Sequence, residues 1–253
     1  MFDLIRWVTL GYDLLGSDPL GWDMLCYDAM RQDKRTFKGT HYSYGMEWYG
    51  PLLSIIHSFI KGIIMEIGNF RLTGVTPLLM HNNVTTDPLH PLAKAAKKIS
   101  AIKKKTEEHH LELQWIDFCA GLYYDEKIGP YIPGYAIDAV IREAAKLSKD
   151  GTTVKRALQC TVEKCRLEYD GPRSIKGLYD KTFFDRRPVT VNRNKVIRTR
   201  PCFPEWSADI QVAYEPSFLN REQVERFIDI AGKMMGLLDY RPTYGKFNSE
   251  IIK

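Results

Sequence analysis

No apolar run in this 253-residue chain is long enough to cross a bilayer. The longest, "LLSIIHSFIKGII" at 52–64, has 13 residues and contains His57 and Lys61, whereas a membrane helix needs about 20 apolar residues. No secretory signal is read at the start of the sequence. Cysteine is scarce and odd in number: Cys26, Cys119, Cys160, Cys165 and Cys202. Only Cys160 and Cys165 lie close, and no second Cys/His pair with zinc-ligand spacing accompanies them. That excludes a disulfide framework and a zinc finger, and points to reduced structural thiols in a cytoplasmic protein of the host cell. No HExxH, P-loop or GxSxG pattern occurs. His109 and His110, beside Glu107, Glu108 and Glu112, imitate a metal cluster, but neighbouring histidines diverge by about 100° on a helix. Neither a catalytic residue nor a metal or cofactor is expected.

Charge of one sign is also in short supply. Net charge is only +5. Its distribution is more telling: residues 1–64 carry six Lys/Arg against seven Asp/Glu, and residues 65–253 carry 30 against 24. The whole basic excess falls in the later part.

The two parts differ in pattern as well. Written in fives, the start reads MFDLI, RWVTL, GYDLL, GSDPL, GWDML, CYDAM, RQDKR, with Asp at 3, 13, 18, 23, 28 and 33. A period of five suits neither a helix nor a strand. It reads either as a short solenoid coil or as a repetitive extension with little structure of its own, since too few repeats exist to bury a continuous core. Met65 opens a conventional domain, and a start at Met65 would make 1–64 dispensable. The expected organisation is therefore a repetitive extension over 1–64 and a domain over 65–253.

Within that domain "EIGNFRLTGVTPLLM" reads as a first strand. "PLAKAAKKISAIKKKTEEHHLELQWIDFCAGLYY" reads as a long, broken helix ending near Gly121. "GPYIP" reads as a turn, and "GYAIDAVIREAAKLSK" as a helix with Ile137, Val140, Ile141 and Ala144 in one apolar stripe. Short strands and turns are expected over 152–185. "RPVTVNRNKVIRTRPCF" is a hairpin around "NRNK", and "ADIQVAYEP" is a strand. "NREQVERFIDIAGKMMGLL" is a helix capped by Asn220, with Val224, Phe227, Ile228, Ala231 and Met235 on one face. "YGKFNSEII" closes as a strand. The mixture of helices and hairpins predicts the α+β class, an antiparallel sheet with helices on one face.

Three stretches in order carry a resemblance: "LTGVTPLLMHNN" followed by Asp87, "GPYIPGYAIDAVIREAAK", and the late "GLLDYRPTYGKF". Together they resemble the RAMP superfamily of CRISPR-associated proteins, particularly the backbone subunits that polymerise along guide RNA. Residues 65–253 are also similar to small phage and prophage proteins sharing "TPLLMHN", "GPYIP" and "RPxYGxF". The resemblance implies a ferredoxin-like (RRM-like) fold. It departs from the family pattern after "IPG", where Tyr135-Ala136-Ile137-Asp138-Ala139 replaces Ser-Ser-Leu-Lys-Gly, and the late loop has one glycine fewer. Some backbone subunits cleave target RNA with an acidic residue after the first strand. Asp87 stands in a loosely similar place, but it reads more simply as a turn residue.

The cationic segments point to a polyanion. From Arg186 to Arg200, six of fifteen residues are basic (Arg186, Arg187, Arg193, Lys195, Arg198, Arg200) and none is acidic. Arg198 and Arg200, two apart, share a strand face. In the late loop Tyr240 and Tyr244 offer stacking faces while Arg241 and Lys246 supply charge. Lys94, Lys97, Lys98, Lys103, Lys104 and Lys105 form a third cluster. These residues predict non-catalytic binding of RNA or single-stranded DNA by aromatic and basic groups on the sheet and late loop, as a repeating subunit of a homo-oligomer. The rival expectations are a phage assembly or protein-interaction component using the same fold and, less favoured, a metal-dependent nuclease.

Overall fold

Alternation sets the first strand. In β1 (Glu66–Gly74) the side chains of Phe70 and Leu72 turn inward and are buried, while Thr73 stays exposed. The computed structural model describes residues 65–191 and 193–252; the repetitive extension over 1–64 lies outside them. The strand ends sooner than its sequence suggests. At Gly74 a side chain would land on the Trp206 indole, whose Nε1 donates to the Thr76 carbonyl at 3.0 Å. The chain bends there, and Leu78–Leu79 forms a separate short strand, β2.

The long Lys- and Glu-rich segment divides into α1 (Pro91–Ser100) and α2 (Glu107–Gly121). Lys105 Nζ caps the Ser100 and Ile102 carbonyls, and Thr106 with His109 closes a capping box at the start of α2. His109 is thereby a helix cap. "GPYIP" proves to be a strand, not a turn. After β3 (Tyr124–Asp125), β4 (Gly129–Pro133) pairs with β3 on one side and β6 (Lys164–Glu168) on the other. Its prolines sit opposite Tyr124 and at the last strand position, where a missing N–H is tolerated.

Pro133 leads directly into α3 (Gly134–Lys146), whose Ile137, Val140, Ile141 and Ala144 are all buried, as the stripe requires. Where short strands and turns were expected, two short helices also appear: α4 (Gly151–Ala157) before β5 (Leu158–Cys160), and α5 (Ile175–Asp180), capped by Ser174. One or two turns are too few to display a helical period. The hairpin β7 (Phe184–Val191) and β8 (Asn194–Phe203), the strand β9 (Ser207–Tyr214) and the final strand β10 (Phe247–Ile252) fall where the sequence places them. So does the start of α6 (Arg221–Ile230), with the reciprocal Asn220–Gln223 capping box; where an α-helix was expected to run on, Ala231–Met235 forms a π-helical turn that stops at Gly236. Burying Val224, Phe227 and Ile228 contributes about 2 kcal/mol per side chain.

The main sheet runs β10-β1-β9-β6-β4-β3, with β5 also pairing β9, and its pairings are antiparallel. Residues of α3 and α6 share one apolar core with Phe70, Leu72, Ile210 and Val212, so both helices cover the same face. This is a mixed helix and antiparallel-sheet architecture, compatible with the α+β class. A second sheet, β2-β8-β7, holds the basic hairpin. No helix of the described residues is long and apolar enough to cross a membrane.

Candidate nucleic-acid interface

The uncovered face of the main sheet is not where the expected aromatic and basic residues gather. Arg71 donates to both Asp209 oxygens at 2.7 and 3.0 Å and to Glu168 at 3.2 Å, and Glu250 stands opposite it in the ladder. Asn69 and Gln211 bond each other at 3.0 Å. One arginine among three carboxylates and two amides makes a weakly acidic surface, poorly suited to phosphate. On this part of the molecule the aromatic–cation pair is Tyr131 with Lys164, 5.5 Å apart at the β4–β6 end.

The cations instead collect on the hairpin. Its register pairs Asp185 with Arg200, Arg187 with Arg198 and Val189 with Val196 on one face, and Phe184 with Pro201, Arg186 with Thr199 and Pro188 with Ile197 on the other. Two elements grip its base from opposite sides. On the second face α2 supplies Phe118, which meets Phe184 and Tyr179 edge-on at 6.2 and 5.4 Å; Pro201 and Thr199 are buried there. On the first face lies the late loop. Arg187 is held between the Tyr240 and Tyr244 rings, 4.8 Å from each centroid. It also donates to the Tyr244 hydroxyl at 2.6 Å and to Asp185. Those bonds, Asp185 first and Tyr244 second, raise its already high pKa. Arg200 stacks on Tyr240 at 4.9 Å and pairs with Asp239.

The late loop is shaped for this grip. Gly236 and Gly245 have φ of +75° and +71°, a region glycine enters freely. Leu237 N donates to the Gly245 carbonyl and Gly245 N to the Pro77 carbonyl, both at 2.9 Å. Asp239 N donates to the Leu79 carbonyl at 3.1 Å. The loop thus closes on itself and is sewn to β2.

The sequence-predicted cations divide into two groups. Arg187, Arg198, Arg200 and Arg241 are paired, with Asp185, Asp117, Asp239 and Glu143 respectively. Arg186, Arg193, Lys195 and Lys246 have no carboxylate within ion-pair distance among the described residues. Arg193 occupies the turn at φ +66°, and residues 193–198 are all exposed. The lysine cluster belongs to α1 and the segment after it; α1 packs against α2 and the turn at Val84–Thr86.

Beside the hairpin base is a cleft of about 280 Å³, lined by the 81–86 loop, the end of α2 and the hairpin. Asn82 joins these elements: its backbone N–H donates to the Gly121 carbonyl at 2.9 Å and its side chain to the Leu122 carbonyl at 3.4 Å, satisfying acceptors at the α2 C-terminus. Burial pushes the Asp117 carboxyl up, against the pull of Arg198, which donates to it at 2.9 Å. Desolvation also pushes the His81 imidazole down, although the residue as a whole stays exposed. The sequence treats His81, Asn82 and Asn83 as loop features, and neither they nor the carboxylate partners carry any local signal of this cleft. Asp117 lies 81 residues from Arg198, and Glu143 lies 98 from Arg241. Asp87 spends one oxygen on Leu89 N at 2.8 Å, as a turn residue does. Among the described residues no three His, Cys, Asp or Glu side chains group to hold a metal, and Cys119, Cys160, Cys165 and Cys202 are free thiols.

No family model matches this sequence, and no curated protein matches it. Among solved structures, the chain is similar to one in the cryo-EM structure of the Type III-B Cmr-beta bound to cognate target RNA. The TM-score is 0.43 and the identity 14%, over 95% of this chain and 79% of that one.

Proposed function

We propose that residues 65–253 form a RAMP-like, ferredoxin-like domain of phage or prophage type that binds RNA or single-stranded DNA without cleaving it. It acts in the host cytoplasm, as a repeating subunit. The ferredoxin-like reading is supported by the path β1, α3, β6, β9, α6, β10 and by the strand order β10-β1-β9-β6. One observation carries the binding reading: the hairpin's base is clamped while Arg186, Arg193 and Lys195 reach solvent without carboxylate partners among the described residues. Unpaired cations on a fixed ribbon are free to replace the counterions of a phosphate chain. The non-catalytic reading agrees with Asp87 being engaged in its turn.

The test is fluorescence anisotropy of the full chain with labelled single strands across a salt series. Each phosphate contact contributes a slope of about 0.7 in log affinity against log salt. Arg193→Glu with Lys195→Glu therefore lowers the slope by about 1.4 and weakens RNA or DNA alike. A wild-type protein with no salt-sensitive affinity for any single strand overturns the proposal. The protein-interaction reading draws on a different feature, Ile197, which is 50% exposed beside those cations. It predicts that the same reversal disturbs assembly and leaves strand affinity unchanged.

A further inference from the structure

The cleft at the hairpin base has no part in the phosphate contacts proposed for the tip. Its volume of about 280 Å³ is just under the lower end, about 300 Å³, of the range typical of small-ligand sites. It therefore suits a fragment the size of a single heterocycle. Its polar wall is formed by His81, Asn82, Asn83, Asp117, Arg198 and Arg200, and its apolar side by Ala120, Gly121 and Val189.

Charge decides what chemistry fits. Arg198 is answered by Asp117, and Arg200 by Asp239. The His81 ring is pushed below its ordinary value, first by desolvation, and so is neutral at pH 7. No uncompensated cation remains to favour a phosphate. What remains is hydrogen-bonding capacity. The Asn83 side-chain amide has no protein partner among the described residues: the turn it precedes takes no side-chain cap from it. Asp117 gives one oxygen to Arg198, and a carboxylate has lone pairs to spare. Donors and acceptors over a small apolar floor complement a neutral planar ring with a polar edge.

We propose that this cleft receives one nucleobase of a bound single strand and reads its edge through Asn83 and Asp117. The inference rests on the nucleic-acid reading above and names the part of the strand recognised. Lys195 and Arg200 are five positions apart on β8, about 17 Å of strand, so a few nucleotides span the tip and the cleft. The tip then holds phosphates without regard to sequence, and the cleft adds preference for a base.

Two measurements on the full chain test this. In the first, uncharged free nucleosides are titrated into isotope-labelled protein and followed by NMR. One of the four is expected to shift the Asn82 and Asn83 side-chain amide signals, and Asn83→Ala to weaken that binding at least tenfold. In the second, anisotropy compares homopolymeric strands. The wild type is expected to prefer one base by about tenfold, and Asn83→Ala to reduce the preference to within twofold at unchanged salt slope; Asp117→Asn is expected to reduce it equally while steepening the slope, because it frees Arg198. Asn83 lies in an exposed loop, so its variant remains informative if Asp117→Asn fails to fold. Strands bound with no base preference, with no nucleoside shift, overturn the cleft assignment while leaving strand binding intact. Nucleosides bound without affinity for any strand overturn it as well, by removing the strand.

Discussion

The clamp on the hairpin base predicts an energetic coupling between Arg187 and Tyr244 that a double-mutant cycle can read. Replacing Tyr244 by Phe keeps the ring and deletes the hydroxyl that accepts from Arg187 at 2.6 Å. A hydrogen bond from a charged donor contributes about 1.5–3 kcal/mol. The Arg187 side chain is 25% exposed, so the lower end applies, about 1.5 kcal/mol. Arg187→Met removes the same bond together with two ring contacts at 4.8 Å, each worth about 0.5 kcal/mol at a partly exposed site. It also leaves Asp185 without its arginine. That penalty is present with either residue at 244 and cancels in the cycle. The expected coupling is therefore about 1.5 kcal/mol, measured by urea denaturation followed by tryptophan fluorescence. Distant sites deviate from additivity by about 0.3–0.5 kcal/mol. A coupling no larger than that would refute the claim that the late loop holds the hairpin.

Three further outcomes follow from the same geometry. Gly245→Ala must place a side chain at φ +71° and on the Leu237 backbone. The left-handed conformation costs about 1–2 kcal/mol and the two backbone bonds of Gly245 about 1 kcal/mol each, so a loss of about 3–4 kcal/mol is expected in urea denaturation; a loss under 1 kcal/mol contradicts it. Asn220→Ala removes the 2.8 Å bond that its side-chain oxygen accepts from Gln223 N, while the return bond from the backbone N–H of residue 220 to Gln223 stays, and should cost about 1 kcal/mol in the same assay. Burial, and then donation to Glu66 at 2.8 Å, push the Tyr214 phenol up to about 12. The unfolded chain releases that proton near pH 10 and the folded chain only near 12. The contribution is thus complete below pH 10 and is lost as pH rises through 12. Tyr214→Phe should flatten this part of the stability–pH curve, and an unchanged curve would show that the phenol titrates normally.

Elements whose signals are local were legible in the sequence. The Asn220 cap, the Ile137–Ala144 stripe and the hairpin around Asn192–Lys195 each depend on residues within a few positions of one another. "GPYIP" was misread because its strand character comes from partners elsewhere, Arg166 and Cys165 across the ladder, while its composition speaks for a turn. The Gly74 bend depends on Trp206, 132 positions away, which no period reveals. The site divides in the same way. The cations of 186–200 stand out as a run, and their sharing of faces follows from a two-residue period. Which of them stay unpaired depends on neighbouring Asp185 and on Asp117 and Asp239, which the fold delivers from α2 and the late loop. Tyr240 and Tyr244 read as open stacking platforms in the sequence; in the fold their faces are taken by Arg187 and Arg200.

The short strand β2 and the residues that flank it, Pro77 and Met80, have an effect out of proportion to their length. Pro77 and Leu79 accept from the late loop, and Met80 N donates to the Pro201 carbonyl, all through main-chain atoms. Because those ties run through main-chain atoms and the side-chain clamp sits at the base, the bearing of the basic ribbon is indifferent to substitutions at its exposed tip. Such a mounting lets the tip exchange one set of contacting groups for another without being re-aimed, so among related chains what the ribbon grips can diverge well before its direction does.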